Sequence, residues 1–407
     1  MHLPISACVR NTAAVLTILS ATLVTAGAED SPLPKKLAIR AQSSMSKAVD
    51  FFLDTQAENG AWAKHPAITS LTCTALAKSP RAREDDVVQA VNKGLDYALT
   101  FQQDSGAIWV KGEEYPNYTT AITLLALATV NREQDLQAMR DARAYLMDSQ
   151  VHNIPEQNPF YGGIGYARRL RPDLNNAQWA YEALHVSEFL DQEPLAENPN
   201  AMQQTRDMWE RAERFISSCQ NRPESNPERK GLDAVASDKE NYGGFFYMPG
   251  AGPSGTTTYE DGKEVQNSYG SMTYAGIKSL IYAGVDRDDP RVLAALDWVK
   301  RNYTFDEHPG LGQQGLYYYL HSMAKCLAVY GTDTLKDKQG NTHHWRQDLV
   351  TALLDSQQDD GSWINKEAGR WMENVPELVT AYSLLAMEFA AGATWDTGLN
   401  QSLQQEE

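Results

Sequence analysis

The sequence of 407 residues has few cysteines and little positive charge, and each shortage excludes a class of protein. Its four cysteines include no Cys-x-x-Cys pattern, so a disulfide-dense scaffold is not indicated. We expect Cys73, Cys219 and Cys326 to be small buried apolar side chains. Because 53 acidic residues outnumber 36 basic ones, giving a net charge of −17, we expect no nucleic-acid partner and no binding to anionic membranes.

Long apolar runs are also scarce, and the only one lies near the N-terminus. It extends over residues 13–24, follows Arg10 and precedes Ala26-Gly27-Ala28, which is typical of an export signal cleaved before Glu29. The run is too short for a convincing membrane span, although an N-terminal anchor is the alternative. We therefore predict a signal peptide over residues 1–28, an exported protein (periplasmic or extracellular) and no membrane span after cleavage.

What the sequence does contain is a recurring turn of the form Gln-x-x-x-Gly-x-Trp between two apolar-periodic segments. A looser copy, with one extra residue before the tryptophan, covers residues 102–109. A unit that recurs along a chain indicates a repeat architecture. The two well-matched copies supply the predicted structural residues Gln56, Gly60, Trp62, Gln357, Gly361 and Trp363.

Helical periodicity predicts six helix pairs and no strands between them, within residues 29–394 and followed by a C-terminal tail over residues 395–407. The predicted pairs are 38–55 with 68–77, 87–101 with 119–130, 136–149 with 176–189, 202–219 with 271–283, 290–302 with 316–329, and 349–354 with 379–389. Each pair has an apolar stripe that it cannot cover alone, so neighbouring pairs must stack.

The last predicted helix, over residues 379–389, is as apolar as the middle ones, and this favours a closed ring over an open solenoid. The sequence thus predicts an all-α fold, an α/α toroid of six helical hairpins with inner and outer helix layers. All inner helices then start at the same mouth of the barrel, which collects their unpaired N–H groups and positive dipole ends.

The Gln-x-x-x-Gly-x-Trp turn before an Ala/Leu-rich helix resembles the repeat of the squalene–hopene cyclases. More broadly, the chain is similar to the terpenoid cyclase/protein prenyltransferase superfamily, whose fold is such a toroid. The resemblance implies a structural role for the turn. The glutamine would satisfy backbone groups at a neighbouring helix end, the glycine permits a positive φ, and the tryptophan is a packing body with one donor.

The family's catalytic motifs are missing. The sequence has no Asp-x-Asp-Asp, with which class II terpene cyclases protonate their substrates, and no Asp-x-Cys, which supplies zinc ligands in the prenyltransferases. Glu84-Asp85-Asp86 lies at a predicted helix start, where acidic residues suit the helix dipole. We therefore expect neither squalene cyclisation nor zinc-dependent prenyl transfer, and we assign no metal ligand and no cofactor.

Polar and aromatic side chains cluster at the predicted starts of the inner helices, where they would meet at one mouth. A pocket with carboxylates and a histidine suits general acid–base catalysis, while aromatics suit a carbohydrate or an isoprenoid. The alternative is that the aromatics are core and the glutamates are helix caps. The predicted catalytic residues are Glu373, Glu114 and His321, and the predicted lumen residues are Tyr118, Asn176, Tyr269, Tyr317, Tyr318 and Trp371.

Three functions stay open on the sequence alone. The resemblance implies an exported cyclase-like or prenyltransferase-like toroid that binds an isoprenoid or other apolar ligand in its lumen. A toroid of the polysaccharide lyase or hydrolase kind is the first alternative, and a non-catalytic ligand- or protein-binding toroid is the second. The partner expected in each enzyme case is a small molecule or a glycan.

One pair of charges interrupts the apolar pattern of the inner helices. When these helices are aligned on their Ala/Ser-Leu/Met step, the preceding position holds leucine in two repeats but Glu182 and Lys278 in the third and fourth. Because a buried unpaired charge costs several kcal/mol, we predict a salt bridge between these two side chains. The alternative is that both charges face a wet lumen or the rim.

Overall fold

The computed structural model describes residues 31–226, 235, 236, 238, 240–260 and 262–393, and within these ranges it is almost entirely helical. The predicted signal peptide over residues 1–28 and the tail over residues 395–407 lie outside the described residues. The outer helices are α1 (Lys35–Thr55), α3 (Asp85–Leu99), α5 (Leu136–Ser149), α7 (Ala201–Ser218), α9 (Pro290–Arg301) and α11 (Trp345–Ser356). The inner helices are α2 (Pro66–Lys78), α4 (Pro116–Val130), α6 (Leu174–Val186), α8 (Gly270–Tyr282), α10 (Leu316–Tyr330) and α12 (Pro376–Ala390).

The two layers differ in how much of each helix is buried. The outer helix α3 buries 6 of its 15 residues along one stripe, whereas the inner helix α4 buries 12 of 15. A helix that is apolar on all sides must be enclosed on all sides. The inner helices are enclosed because each packs against the next inner helix and α12 packs against α2, so that the barrel is closed. The predicted α/α toroid is confirmed.

Four inner helices begin two or three residues earlier than predicted, and three of them begin with a proline. Pro66, Pro116 and Pro376 are the first residues of α2, α4 and α12. Proline fits this position because the N–H group it lacks would have no partner within the helix. The apolar periodicity that drove the prediction starts only after the proline, so it missed the first turn.

The expectation that no strands separate the helices is wrong at two places. A short antiparallel hairpin, β1 (Thr256–Thr258) and β2 (Glu264–Gln266), lies in the long loop between α7 and α8. A smaller one, β3 (Leu335–Lys336) and β4 (Thr342–His343), lies between α10 and α11. Both are too short to show a period of two in the sequence.

The glutamine of each well-matched turn bonds to the next outer helix along the ring. Gln56 Nε2 donates to Gly60 O at 3.1 Å within its own turn and to Ala90 O of α3 at 2.8 Å. Gln357 Nε2 donates to Gly361 O at 2.9 Å and to Ser44 O of α1 at 3.0 Å. We call each such set of two hydrogen bonds a glutamine clamp. The Gln357 clamp joins the sixth helix pair to the first pair and so closes the outer layer.

Glutamine clamps also occur in the third and fourth pairs. Gln150 Nε2 donates to Gly162 O at 2.9 Å and to a carbonyl of α7 at 3.0 Å. Gln220 Nε2 donates to Gly243 O at 2.9 Å and to a carbonyl of α9 at 2.8 Å. In sequence these glutamines stand 12 and 23 residues before their glycines, so the Gln-x-x-x-Gly pattern could not reveal them.

The glycine of the turn is required by a close approach as well as by its backbone angle. Gly361 has φ +88°, and a Cβ atom there would lie 2.3 Å from Lys47 O of α1. The tryptophan packs on the other side of the turn. Trp363 is fully buried, and its Nε1 donates to Leu353 O at 2.8 Å. Trp62 makes the equivalent bond to Phe52 O at 2.9 Å.

The three cysteines after residue 28 are buried, as predicted. Among the described residues, no helix is long and apolar enough to cross a membrane.

The predicted salt bridge between the inner helices is confirmed and has a third member. The Lys278 ammonium contacts one carboxylate oxygen of Glu182, and Lys325 Nζ of α10 lies 2.7 Å from the other. All three side chains are buried. Burial alone would raise the pKa of Glu182, but the two ammonium groups outweigh it and hold that pKa below its usual value.

We expect Glu182→Ala to destabilise the protein by roughly 3 kcal/mol or more, because it leaves two buried ammonium groups without their carboxylate. Glu182→Ala combined with Lys278→Ala should cost less than the sum of the single changes. Urea unfolding of the three variants measures this. Since the folded pKa of Glu182 is lowered, its contribution should be present above the unfolded pKa and lost on acidification. Additive losses at neutral pH would contradict the coupling.

Candidate functional site

The mouth where the inner helices begin contains a cavity of about 690 Å³, which we call the aromatic cup. Two histidines, two glutamates, an arginine, three methionines and an asparagine are among the other residues that line it. Because its lining comes only from the first halves of the inner helices and from loops, the cup occupies one end of the barrel. Its aromatic lining residues are Tyr115, Tyr118, Tyr166, Trp179, Tyr247, Tyr269, Tyr318, Trp371 and Tyr382.

Helix starts and the long loop together place this lining. His65, Tyr115 and Tyr269 are the residues immediately before α2, α4 and α8. The loop between α7 and α8 adds Tyr247 and Met248 from the side. The predicted convergence of inner-helix N-termini therefore forms the cup, and the long loop covers part of it.

Trp179 of α6 is the floor of the cup. Beneath it, the His321 ring stacks on the indole with ring centroids 5.8 Å apart and planes inclined by 17°. The Lys325 ammonium lies 4.7 Å from the centroid of the same indole. The lumen directly below the floor therefore contains side chains, among them the buried charges described above.

A histidine and a glutamate face each other in the wall of the cup. His65 Nδ1 accepts a hydrogen bond from Ala67 N at 3.1 Å, so the neutral ring carries its proton on Nε2. That Nε2 lies 3.4 Å from Glu113 Oε2. The side chains are 19% and 28% exposed, so a ligand in the cup can reach this pair. The Nε2–H group thus faces the carboxylate, and the carboxylate is the member of the pair that can accept a proton from a ligand.

Glu373 also lines the cup, but both of its carboxylate oxygens are engaged. Oε1 accepts from Tyr318 N at 2.8 Å and thereby caps the start of α10, while Oε2 accepts from Asn365 Nδ2 at 2.8 Å. Burial raises the pKa of Glu373 to about 7, despite these hydrogen bonds. The group therefore changes charge near neutral pH while it holds the first turn of α10.

The second histidine of the cup is held neutral. His308 Nε2 accepts from Ser271 N at 2.9 Å, and its Nδ1 donates to Gln314 O at 2.9 Å. Burial lowers the pKa of His308 to about 4. Both nitrogens are thus used by the backbone, so this ring positions loops and is unsuited to proton transfer at neutral pH.

The backbone is strained on both sides of the cup. Ala63 and Lys64, which precede His65, have φ values of 49° and 55°. Trp371 and Met372, which precede Glu373, have φ values of 57° and 65°. Left-handed residues other than glycine are uncommon and cluster at binding and catalytic sites, because the surrounding structure must enforce them.

Five of the predicted site residues line the cup: Tyr118, Tyr269, Tyr318, Trp371 and Glu373. The other four lie elsewhere. Glu114 is exposed outside the cup, and its neighbour Glu113 takes the expected place. The Asn176 side chain turns back to bond with Asp173, so Asn175 lines the cup instead.

The two remaining displacements follow from helix geometry. Tyr317 is one residue from Tyr318 on α10, and the rotation of about 100° per residue turns it into the core. His321 lies about one turn deeper and is buried under Trp179. Burial lowers its pKa well below the usual histidine value, which leaves it neutral.

Sequence reasoning missed His65, Glu113, Asn175, Trp179 and the loop residues of the cup. The position of His65 directly before a helix-starting proline was an available signal, since the residue before such a helix faces the mouth. Within the described residues, no group of three or more His, Cys, Asp or Glu side chains is placed to hold a metal ion.

Comparisons with known proteins bear on the fold of this chain and not on its chemistry. Neither protein-family models nor curated proteins give a match. Among solved structures, the type II terpene cyclase MstE from Scytonema is 14% identical, with a TM-score of 0.51 over 88% of this chain and 99% of that one. The alpha-1,6-mannanase GH76A from a Salegentibacter species is 9% identical, with a TM-score of 0.55 over 87% and 100%. At these identities the likeness shows a shared α/α toroid only.

We expect Glu373→Gln to change the pH dependence of stability. A folded pKa of about 7, raised from 4.5, means that the contribution of Glu373 is fully present below pH 4.5 and is lost as the pH rises through 7. From pH 4.5 to 7.5, wild type should therefore lose up to about 3 kcal/mol of unfolding free energy relative to Glu373→Gln. Urea unfolding at both pH values tests this, and Glu114→Gln, at an exposed position, is the control. Parallel pH profiles for wild type and Glu373→Gln would contradict it.

Proposed function

We propose that the aromatic cup binds a glycan and that the chain is a glycan-processing enzyme of the hydrolase or lyase class. The observation that carries the proposal is the form of the lining: aromatic faces tipped with hydroxyl groups, in a cup that ends at Trp179. A volume of about 690 Å³ is in the range typical of small-molecule sites, roughly 300–1,000 Å³.

Sugars suit this lining because they have two kinds of surface. Their C–H faces pack on aromatic rings, and their hydroxyl groups exchange hydrogen bonds with side chains such as tyrosine and asparagine. Seven of the nine aromatic rings in the cup belong to tyrosines. Trp371 stands at the rim and is 46% exposed, which makes it the ring most open to a ligand.

Glu113 would carry the proton transfer, with His65 as its partner. The bond from Ala67 N keeps the imidazole proton on Nε2, so this N–H group orients the Glu113 carboxylate, and the carboxylate would accept a proton from the substrate and return it. Glu373 is assigned a positioning role, because its oxygens hold the start of α10 and hence Tyr318. Glu114 and His321 are assigned no role in the reaction, since neither lines the cup.

An isoprenoid is the second candidate ligand, and the aromatic wall favours it. Cyclisation of an isoprenoid, however, creates a carbocation that aromatic faces must stabilise. The Lys325 amine lies 4.7 Å from the centroid of the Trp179 indole, and burial lowers the pKa of Lys325 to about 7. In its protonated form Lys325 would repel a second cation on the cup side of that ring, which makes the floor less suited to this chemistry.

The solved neighbours supply probes for both candidates. A variant of the Scytonema cyclase holds geranylgeranyl dihydroxybenzoate, and a variant of the mannanase holds alpha-1,6-mannotetrose. Calorimetric titration of this protein with the isoprenoid and with a panel of neutral and acidic oligosaccharides, mannotetrose included, compares the two classes directly.

We expect an oligosaccharide of the panel to bind and Trp371→Ala to weaken it at least tenfold, because the exposed ring is lost from the rim. Leu293→Ala, at an exposed apolar position of α9 outside the cup, is the matched control and should bind as wild type does. Glu113→Gln should lower kcat on that glycan far more than it raises KM, because it removes the proton acceptor. Binding of the isoprenoid alone, or equal affinities for Trp371→Ala and wild type, would contradict the proposal.

A further inference from the structure

A chain of hydrogen bonds connects the buried charges below the floor with the cup. Lys278 Nζ donates to Gln178 Oε1 at 2.6 Å. Gln178 Nε2 donates to the Tyr318 hydroxyl at 3.1 Å, and that hydroxyl donates to Asn175 Oδ1 at 2.7 Å. The chain thus begins at a charge buried against Glu182 and ends at a side chain that lines the cup.

The ammonium group fixes the direction of every bond in this chain. An ammonium can only donate, so Gln178 must turn its oxygen to Lys278 and its NH₂ group to Tyr318. The tyrosine oxygen is then an acceptor, and its single proton is left for Asn175 Oδ1. Asn175 must therefore present its Nδ2 donors elsewhere, and that group makes no hydrogen bond to any other residue that the structure describes.

We propose that Asn175 Nδ2 is a specificity-determining donor and that the group it binds is a carboxylate, so the glycan of the cup is an acidic one. This inference rests on the proposed glycan-binding function. A chain that starts at a cation polarises each following bond in the same sense, and an anionic oxygen gains more from a polarised donor than a neutral hydroxyl does.

The other charged groups of the cup are compatible with an anion at this place. Both oxygens of Glu373 already accept hydrogen bonds, and Glu113 faces His65. The Arg370 guanidinium lies over the Trp371 ring at the rim, 4.4 Å from its centroid, and adds a positive group to the lining.

The test compares ligands that differ only in the carboxylate. The probes are oligosaccharides of mannuronate, galacturonate and glucuronate, each paired with its carboxyl-reduced neutral counterpart, and calorimetry gives the ratio of the two dissociation constants. For whichever of these three kinds of oligosaccharide binds, the wild-type protein should bind the acidic form at least tenfold more tightly than the neutral form. Gln178→Met, which breaks the chain without adding charge, and Asn175→Leu, which removes the donor, should each reduce that preference below threefold.

Gln204→Met makes the same substitution at an exposed position of α7 and should keep the wild-type preference. Asn175 is partly exposed, so we expect Asn175→Leu to fold, and this variant provides the test if Gln178→Met does not fold. Equal binding of acidic and neutral forms to wild type would overturn the inference and leave the proposed function standing. A wild-type preference that survives both substitutions would also overturn it. Binding of none of the probes would overturn the inference, while mannotetrose or another neutral glycan that binds would still support the proposed function.

Discussion

One side-chain amide in a turn, bonded to the next outer helix, is the contact on which the ring depends. The Gln357 clamp reaches Ser44 across 313 residues of sequence, and it succeeds only because Gly361 lets the turn approach α1 closely. Ser44 and Ala90 lie within α1 and α3, where the helix already supplies one N–H donor to each carbonyl, so the clamp adds a second hydrogen bond and fixes the angle between neighbouring pairs. Repetition of that contact brings the sixth pair against the first, and the barrel closes.

Closure has consequences for what the lumen can contain. The inner helices have no solvent-facing side, so a charge placed in their middle must find a partner within the barrel. Glu182 finds two, on α8 and α10, and the first of these also orients Gln178 and through it the wall of the cup. The same closure gathers six helix starts at one mouth, where backbone N–H groups and loop side chains remain available for a ligand. The buried charges of the lower lumen thus contribute to stability, and the mouth is where we propose that the ligand binds.

The layers, the closure and the Glu182–Lys278 contact could be predicted from sequence, because period and alignment report which face of a helix is enclosed. The cup could be predicted only in part. A shift of one residue exchanges a lining position for a core position on a helix, which is why the pattern indicates Asn176 where Asn175 lines the cup. Glu113 and Glu114 lie in the loop before α4, where no helical period shows which of two neighbours faces the cup. The long loop could not be placed at all, since its approach to the mouth depends on tertiary contacts that leave no periodic trace.

The central claim is that the ligand site is the aromatic cup and that it ends at Trp179. A crystal structure of the protein soaked with the oligosaccharide that binds it most tightly tests this most directly. The account predicts sugar density against Trp371 and Tyr318, within reach of Asn175 and His65, with the side chains below Trp179 in place. Density that displaces Trp179 and continues into the lower lumen, or that lies outside the mouth altogether, would contradict it.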